Sequence, residues 1–426
     1  MNVFLEILQQ IFREPAIFLS LFVSLGSFTI TKDLTKTLKS AINTFVGIRI
    51  LQVGAGLAVT ASKPILEMLV ERFEISGRVA DPWVAAGEGL EILNTAGLGG
   101  LIGSVMITAW IVHLVFSRLS KLRVIYLTGH VAFIDTTLVI YYLFMATGWS
   151  DIKLFLGSVF LLAIYWWFFP SILSPRLRPL VGQEKITIGH QMVVSSWLAI
   201  TIAKLTGDVS QDTEDVKFPE WLSFLKDTAV SYALIMGLLY LIVAILAGPE
   251  VGQHVSGESN YLMYSLLRGV DTGASITIII LGVKMFIGEL MPAFEGISRK
   301  FLPGAVAAVD IPVFFDYAPN AALIGFIFTF FGMAVGMALQ IFSQSQILTI
   351  PSIIPMFFGG STLGVVSSKY GGLRGTVIAA FILGIIQVWG SAAMATVIGS
   401  TISGGGNLDY CTYYPLLFGV LKAIFK

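Results

Sequence analysis

The stretch GVKMFIGELMPAFEGISRKFLPGAVAAVDIPVFFDYAPN, residues 282–320, places charged residues, prolines and glycines between two apolar runs. Each run, near residues 274–286 and 321–342, is long enough to enter a bilayer when its flanks are counted. Lipid does not accommodate the four carboxylates between them, Glu289, Glu295, Asp310 and Asp316. Such groups persist at membrane depth only where they face protein or water, so the stretch is either a functional site or a solvated loop between two spans.

The composition indicates a polytopic membrane protein. Of the 426 residues, 56% are hydrophobic and only 12% are charged, whereas about a quarter are charged in soluble globular proteins. The 26 acidic and 26 basic residues balance, so no overall field favours nucleic acid as a partner. The single cysteine, Cys411, excludes a disulfide framework, and the four histidines lack metal-ligand spacing. We therefore expect neither a metal nor another cofactor.

Eleven apolar segments of about twenty residues predict an all-α fold of about eleven transmembrane helices. They lie near residues 15–31, 40–61, 97–116, 124–147, 153–172, 228–247, 270–290, 321–342, 347–366, 375–398 and 412–425. The first run lacks a basic leader and a cleavage site, so we expect it to be retained as a span.

The basic residues predict the orientation of these helices, because cytoplasmic loops carry an excess of Lys and Arg. With the N-terminus outside and the C-terminus in the cytoplasm, the inner loops hold most of the basic residues. The predicted outer loops hold only Arg13, Lys63, Arg72, Arg78 and Lys153. The expected location is a membrane that the chain crosses many times.

Residues 186–206 are apolar but open with Gly189-His190-Gln191, which favours a re-entrant segment over a full span. The acidic, polar stretch after it, residues 207–226, is typical of a surface loop between two halves of a protein. We therefore divide the chain into residues 1–215, with five spans and the re-entrant segment, and residues 216–426, with five spans and a C-terminal helix.

The two halves show weak sequence similarity, with four short matches that occur in the same order. Gly47-Ile48-Arg49 resembles Gly282-Val283-Lys284, and Asp81-Pro82 resembles Asp310-Ile311-Pro312. Two further matches pair residues 101–103 with 323–325 and residues 127–130 with 348–351. The shift is five spans, and an odd shift inverts the second copy. Inverted repeats with discontinuous helices are typical of secondary transporters that hold substrate near the bilayer midplane.

Several polar residues in these interrupted segments are candidate ligand contacts. Asp81 and Asp310 each stand beside a proline, where a carboxylate either accepts hydrogen bonds from a polyhydroxyl ligand or caps a half-helix. Trp83 offers a ring face to a sugar-like ring or anchors the chain at a membrane interface. His130 and His190 each follow a glycine in an apolar run, and they are either ligand contacts or satisfied core residues.

At these residues the chain resembles the membrane-embedded IIC subunit of the ascorbate-type, phosphoenolpyruvate-dependent sugar phosphotransferase system. The matching motifs keep their order over most of the chain. They are LTGH at 127–130, IGHQ at 188–191, the run 282–310, YAPNA at 317–321 and IPMFF at 354–358.

The resemblance implies a homodimeric permease of the bacterial cytoplasmic membrane, with a scaffold and a moving core, interleaved across both repeats and working by an elevator-like shift. It implies that L-ascorbate, or a related sugar acid or polyol, is carried inward and phosphorylated by a separate phosphorylated IIB protein, with IIA upstream. No phosphorylated catalytic residue is expected on this chain. The substrate contacts that it implies are Pro82, Trp83, His130, Phe133, Ile134, Asp135, His190, Gln191 and Asp310.

Two other functions fit the sequence. One is a proton- or sodium-coupled secondary transporter of the same fold, with Asp81, Asp310 and Glu289 as ion sites. The other is a membrane sensor or scaffold, which interrupted helices with polar groups at the midplane argue against.

Overall fold

A computed structural model describes residues 15–74, 77–216, 228–352, 354–399 and 405–425. It confirms the all-α polytopic fold. Within these ranges, eight helices are long and apolar enough to cross a membrane, and three shorter apolar helices cover Leu19–Thr31, Val193–Thr206 and Tyr413–Phe425. The number eleven stays a prediction. The span predicted near 375–398 and most of the one near 347–366 lie in one apolar helical segment, Pro355–Ile398, whereas residues 348–351 form a strand.

Five short strands interrupt the succession of helices along the chain. The first half contains α1 (Pro15–Thr31), α2 (Leu34–Phe73), β1 (Gly77–Ala80), α3 (Pro82–Thr95), α4 (Leu101–Leu119), β2 (Val124–Tyr126), α5 (Gly129–Thr147), α6 (Ile152–Val181), β3 (Ile186–Ile188), α7 (Val193–Thr206) and a short 3₁₀ turn, Thr213–Asp215. The second half contains α8 (Thr228–Ser256), α9 (Tyr261–Phe301), β4 (Val306–Val309), a 3₁₀ helix (Ile311–Tyr317), α10 (Pro319–Phe342), β5 (Leu348–Pro351), a π turn (Pro355–Gly359), α11 (Gly360–Ile398), α12 (Leu408–Cys411) and α13 (Tyr413–Phe425).

Capping residues and glycines set several helix limits. Asp33 precedes α2, and its carboxylate accepts the backbone N–H groups of Thr35 and Lys36. Gly148, at φ 73°, ends α5 in the left-handed conformation that glycine adopts without strain. Gly372, at φ 54°, breaks α11 into two helical parts. The described part of the predicted surface loop, residues 207–216, lies over that break, where Asp208 N–H donates to Gly371 O at 2.9 Å.

Four helices, α1, α2, α8 and α9, pack together, and we call this group the frame. Helices α2 and α9 cross where Gly47 meets Gly282. A Cβ on Gly282 would lie 2.6 Å from Gly47 O, and a Cβ on Gly47 would lie 3.0 Å from Gly282 O. The two backbones are in contact at this crossing, as small residues allow in membrane helices.

The remaining elements form a second group, which we call the core group, around two small parallel sheets. One pairs β1 with β5, and the other has the order β2-β4-β3. Each strand is followed by a helical element, so the carboxyl ends of the strands bring together the starts of several helices. Strand pairing also satisfies backbone N–H and C=O groups that lipid would leave without partners.

Residues 186–206 form β3 and the 14-residue helix α7. At 1.5 Å per residue α7 is about 21 Å long, whereas the hydrocarbon core of a bilayer is about 30 Å thick. A helix of this length fits the expected re-entrant segment better than a full span.

Candidate binding site

Residues that follow all five strands line one cavity, whose volume is about 50 Å³. Six of the nine predicted contacts line it: Pro82, Trp83, His130, Ile134, His190 and Asp310. The frame contributes Leu51, Ala55 and Ile279, so the cavity lies where the frame meets the core group. Its polar groups therefore face an otherwise apolar wall, as is typical of small-molecule sites.

Asp310 is the polar centre of this cavity. Its Oδ2 lies 3.4 Å from His130 Nε2, and its Oδ1 lies 4.0 Å from His190 Nε2. Only 5% of the Asp310 side chain is exposed, and Oδ1 also accepts the Ile311 N–H at 2.8 Å. A carboxylate that faces both Nε2 atoms favours the tautomer with the proton on Nε2, which leaves each Nδ1 as an acceptor.

The three-stranded sheet explains why these residues meet. Strand β4 pairs with β2 on one side and with β3 on the other, all parallel. His130, His190 and Asp310 follow β2, β3 and β4, so they emerge at the same sheet edge. Gly189 allows this approach, because a Cβ there would lie 2.5 Å from Ala308 O.

Trp83 forms one wall of the cavity. Its indole stacks parallel to the His130 imidazole, with ring centroids 6.4 Å apart and planes at 5°. Trp83 and Ala55 also line a larger cavity of about 460 Å³, together with Arg49 and Gln52. Trp83 therefore belongs both to the small polar site and to a roomier space that contains a cationic side chain.

Comparison with known proteins gives a family. The family model of the PTS system sugar-specific permease component, EIIC-GAT, matches residues 10–408. The chain belongs to this family. It is therefore a multi-pass membrane protein of the sugar-specific PTS permease family.

A relative from Mycoplasma pneumoniae (strain ATCC 29342 / M129 / Subtype 1) is named "Ascorbate-specific PTS system EIIC component". It is 24% identical over 427 aligned positions, which cover 89% of this chain and 65% of the relative. The permease thus spans about 65% of the length of the curated relative that it matches.

Three predicted contacts of the permease do not line the cavity. Phe133 is half-buried and packs at the edge of the core, and Gln191 is fully buried beneath the site. Asp135 accepts hydrogen bonds from Tyr410 Oη at 2.5 Å and Trp166 Nε1 at 3.0 Å. In this conformation Asp135 holds neighbouring elements together and adds no second carboxylate to the cavity wall.

The other carboxylates that the sequence analysis proposed as functional also have hydrogen-bond partners within the protein. Asp81 caps α3 through the N–H groups of Trp83 and Val84, and its Oδ2 accepts Ser352 Oγ–H at 2.6 Å. These contacts correspond to the capping role of Asp81. Glu289 lies within α9, which continues past the predicted span to Phe301, and accepts Asn43 Nδ2–H at 2.8 Å.

Asp316 is exposed and pairs with Lys284 at 3.0 Å. The side chain of Glu295 lies outside the described residues. Of the carboxylates in residues 282–320 whose side chains are described, only Asp310 reaches the cavity. Within the described ranges, no three His, Cys, Asp or Glu side chains gather as metal ligands.

Sequence reasoning missed the apolar lining residues of the cavity, and in the C-terminal segment it missed one polar cavity residue and one supporting carboxylate. Asn407 lines the cavity directly. Asp409 is fully buried and accepts the Ser195 N–H at 2.8 Å and the Val194 N–H at 3.0 Å, so it holds the start of α7 just after His190. The only sequence signal for Asp409 is a carboxylate in the otherwise apolar tail NLDYCTYY.

Proposed function

We propose that this permease binds L-ascorbate, or a related sugar acid or polyol, at Asp310, His130 and His190 and carries it inward. The observation that carries the proposal is the convergence of two imidazoles on one buried carboxylate beside an indole face. The family of sugar-specific permease components and the name of the relative support this substrate class.

The site chemistry suits a hydroxylated, ring-shaped ligand. Nδ1 of both imidazoles is buried without a hydrogen-bond partner among the described residues. A buried polar atom left unpaired costs about 1–3 kcal/mol. Neither Nδ1 is accessible from the cavity in this conformation, so a ligand hydroxyl would remove that cost only once the cavity opens. Trp83 adds a flat apolar face, and Arg49 in the adjoining cavity attracts an anion on its way to the site.

The proposed transport step is an elevator-like shift of the core group against the frame. A cavity of about 50 Å³ has room for one or two waters, whereas ligand pockets usually measure about 300–1,000 Å³. A sugar-sized ligand therefore requires the frame residues Leu51, Ala55 and Ile279 to separate from the core side of the cavity.

We further propose that the two halves, residues 1–215 and 216–426, are inverted repeats. The repeat relates α2 to α9, β1 to β4 and β2 to β5. Contacts between elements of the two halves are therefore expected to occur in corresponding pairs. Gly47 and Gly282 contact each other. The pair β1–β5 then corresponds to the pair β4–β2.

The proposed partners follow from the family. Phosphorylation of the substrate is assigned to a separate phosphorylated IIB protein, itself supplied by IIA, at the cytoplasmic face of a bacterial inner membrane. The permease itself is proposed to be a homodimer with its N-terminus outside and its C-terminus inside. Cys411, the single thiol, is 2% exposed in the described structure, which suits a packing role and not phosphate transfer.

The ion-coupled alternative receives less support from the site. Asp81 and Glu289, which it would use as ion sites, are engaged by Ser352 and Asn43 and do not line the cavity.

His190→Ala tests the proposed site. Removing the imidazole takes away one polar wall of the cavity, so binding of labelled ascorbate to the purified protein in nanodiscs should fall at least tenfold. His254→Ala is the matched control, because the His254 side chain is 75% exposed and pairs with Glu71 at the surface. Unchanged binding in folded His190→Ala protein would move the site elsewhere.

A further inference from the structure

Asn407 belongs to a segment that the sequence did not assign to the site, GGNLDYC at residues 405–411. Asn407 lines the cavity together with His190 and Asp310, and the residue is 7% exposed. Its backbone carbonyl accepts the Tyr410 N–H at 3.0 Å, which places the residue at the start of α12.

The rest of this segment holds Asn407 in a fixed position. Gly405 and Gly406 both have positive φ, 79° and 75°, and a Cβ on Gly406 would lie 2.3 Å from Ala80 O. Asp409 accepts hydrogen bonds from the start of α7, and Tyr410 donates to Asp135 on α5. The segment therefore contacts the elements that carry Trp83, His130 and His190.

Asn407 stands in the same local arrangement as His190. Gly189 passes against the backbone of Ala308, two residues before Asp310. Gly406 passes against the backbone of Ala80, directly before Asp81. In both cases a glycine crosses the end of a strand, the next residue lines the cavity, and a helix begins shortly after it.

We infer that Asn407 is a further substrate-contacting residue, the counterpart of His190 on the opposite side of the cavity. A neutral amide has two donors and an acceptor, so it suits a ring hydroxyl or a lactone carbonyl without adding charge beside Asp310. This inference rests on the proposed function, since it assigns Asn407 to the same substrate site.

Cysteine labelling tests the inference and the substrate separately. The parent chain has one cysteine, the buried Cys411, so it should react little with a small water-soluble alkylating reagent. Asn407→Cys should react in nanodiscs when the frame and the core group separate, and ascorbate should slow that reaction at least tenfold. Trp83→Cys serves as the positive control, and the fully buried Ser158→Cys serves as the negative control.

Each outcome decides a different point. If Asn407→Cys reacts no faster than Ser158→Cys while Trp83→Cys reacts, the inference is overturned. Protection of Trp83→Cys without protection of Asn407→Cys overturns it as well. If both react and ascorbate protects neither, ascorbate is refuted as the ligand, while Asn407 keeps its place in the solvent-accessible site beside Trp83.

An affinity measurement provides a second test. Asn407→Ala removes about one neutral hydrogen bond, so ascorbate binding should weaken roughly three- to tenfold. Asn94→Ala, at an exposed position on α3, should leave the affinity unchanged. Equal affinities in the wild type and Asn407→Ala would contradict a direct contact.

Discussion

Asp310 is the central polar residue of the site, because the imidazoles of His130 and His190 both face its carboxylate. An anion this deeply buried is costly unless it is paired or hydrogen-bonded. The Ile311 N–H at 2.8 Å supplies a hydrogen bond, and His130 Nε2 lies 3.4 Å from the other carboxylate oxygen. His190 Nε2 is farther away, at 4.0 Å.

Asp310→Asn should therefore weaken ascorbate binding by about ten- to hundredfold, the usual value of one charge-assisted hydrogen bond. Asparagine still caps the following 3₁₀ helix, so the protein should fold normally. The control is Asp316→Asn in the same 3₁₀ helix, where the side chain is 71% exposed. Equal affinity in the two variants would show that Asp310 does not contact or orient the ligand.

Asp135 illustrates a buried carboxylate whose role in this structure is packing. Asp135→Leu leaves Tyr410 Oη and Trp166 Nε1 without their acceptor, at about 1–3 kcal/mol for each donor. The apparent melting temperature in detergent should fall by several degrees. Asp271→Leu, which breaks an exposed ion pair with Arg268, should change it little. A melting temperature equal to that of the wild type would remove Asp135 from the packing network.

The histidines and Asp310 could be predicted from the sequence because glycine or proline interrupts an apolar run beside each of them. The roles of Asn407 and Asp409 could not be predicted in this way. They depend on the fold, which brings the C-terminal segment against β1 and lets Asp409 accept hydrogen bonds from the start of α7. Local sequence shows where a helix is interrupted, and pairing between distant strands decides which interruptions meet.

At the scale of elements, the crossing of α2 and α9 organises the frame. The sequence match between the segments at Gly47 and Gly282 predicted that these two glycines occupy corresponding positions in the two halves. In the structure the same two glycines are in contact. The end of α9 was less predictable. Apolarity fades near residue 290, but the helix continues to Phe301, and Leu290, Ala293 and Phe294 on it are buried.

Gly282→Leu should push α2 and α9 apart, because its Cβ alone would lie 2.5 Å from Leu51 N and 2.6 Å from Gly47 O. Overpacking of this kind typically costs about 1–3 kcal/mol and often more where backbone must move. We expect aggregation or a lower melting temperature in size-exclusion and thermal unfolding assays.

Gly288→Leu is the matched control on the same helix, because no atom lies within 4 Å of its added Cβ. If Gly282→Leu and Gly288→Leu unfold at the same temperature, the close crossing of the frame helices is wrong.

At the scale of the whole molecule, the frame and the core group meet at the candidate site. The small cavity between them shares Trp83 and Ala55 with a larger one. This arrangement suits the proposed carrier, in which one group moves past the other and exposes the site to each side of the membrane in turn. In that proposal the substrate reaches the cytoplasmic face still bound, where a phosphorylated partner acts on it.

The most direct test of this account is uptake of labelled ascorbate into proteoliposomes, with and without a phosphorylated IIB protein inside. We predict that phosphorylated ascorbate accumulates only when that partner is present, and that an imposed proton or sodium gradient does not replace it. Accumulation of unmodified ascorbate driven by such a gradient alone would contradict the account and favour the ion-coupled alternative.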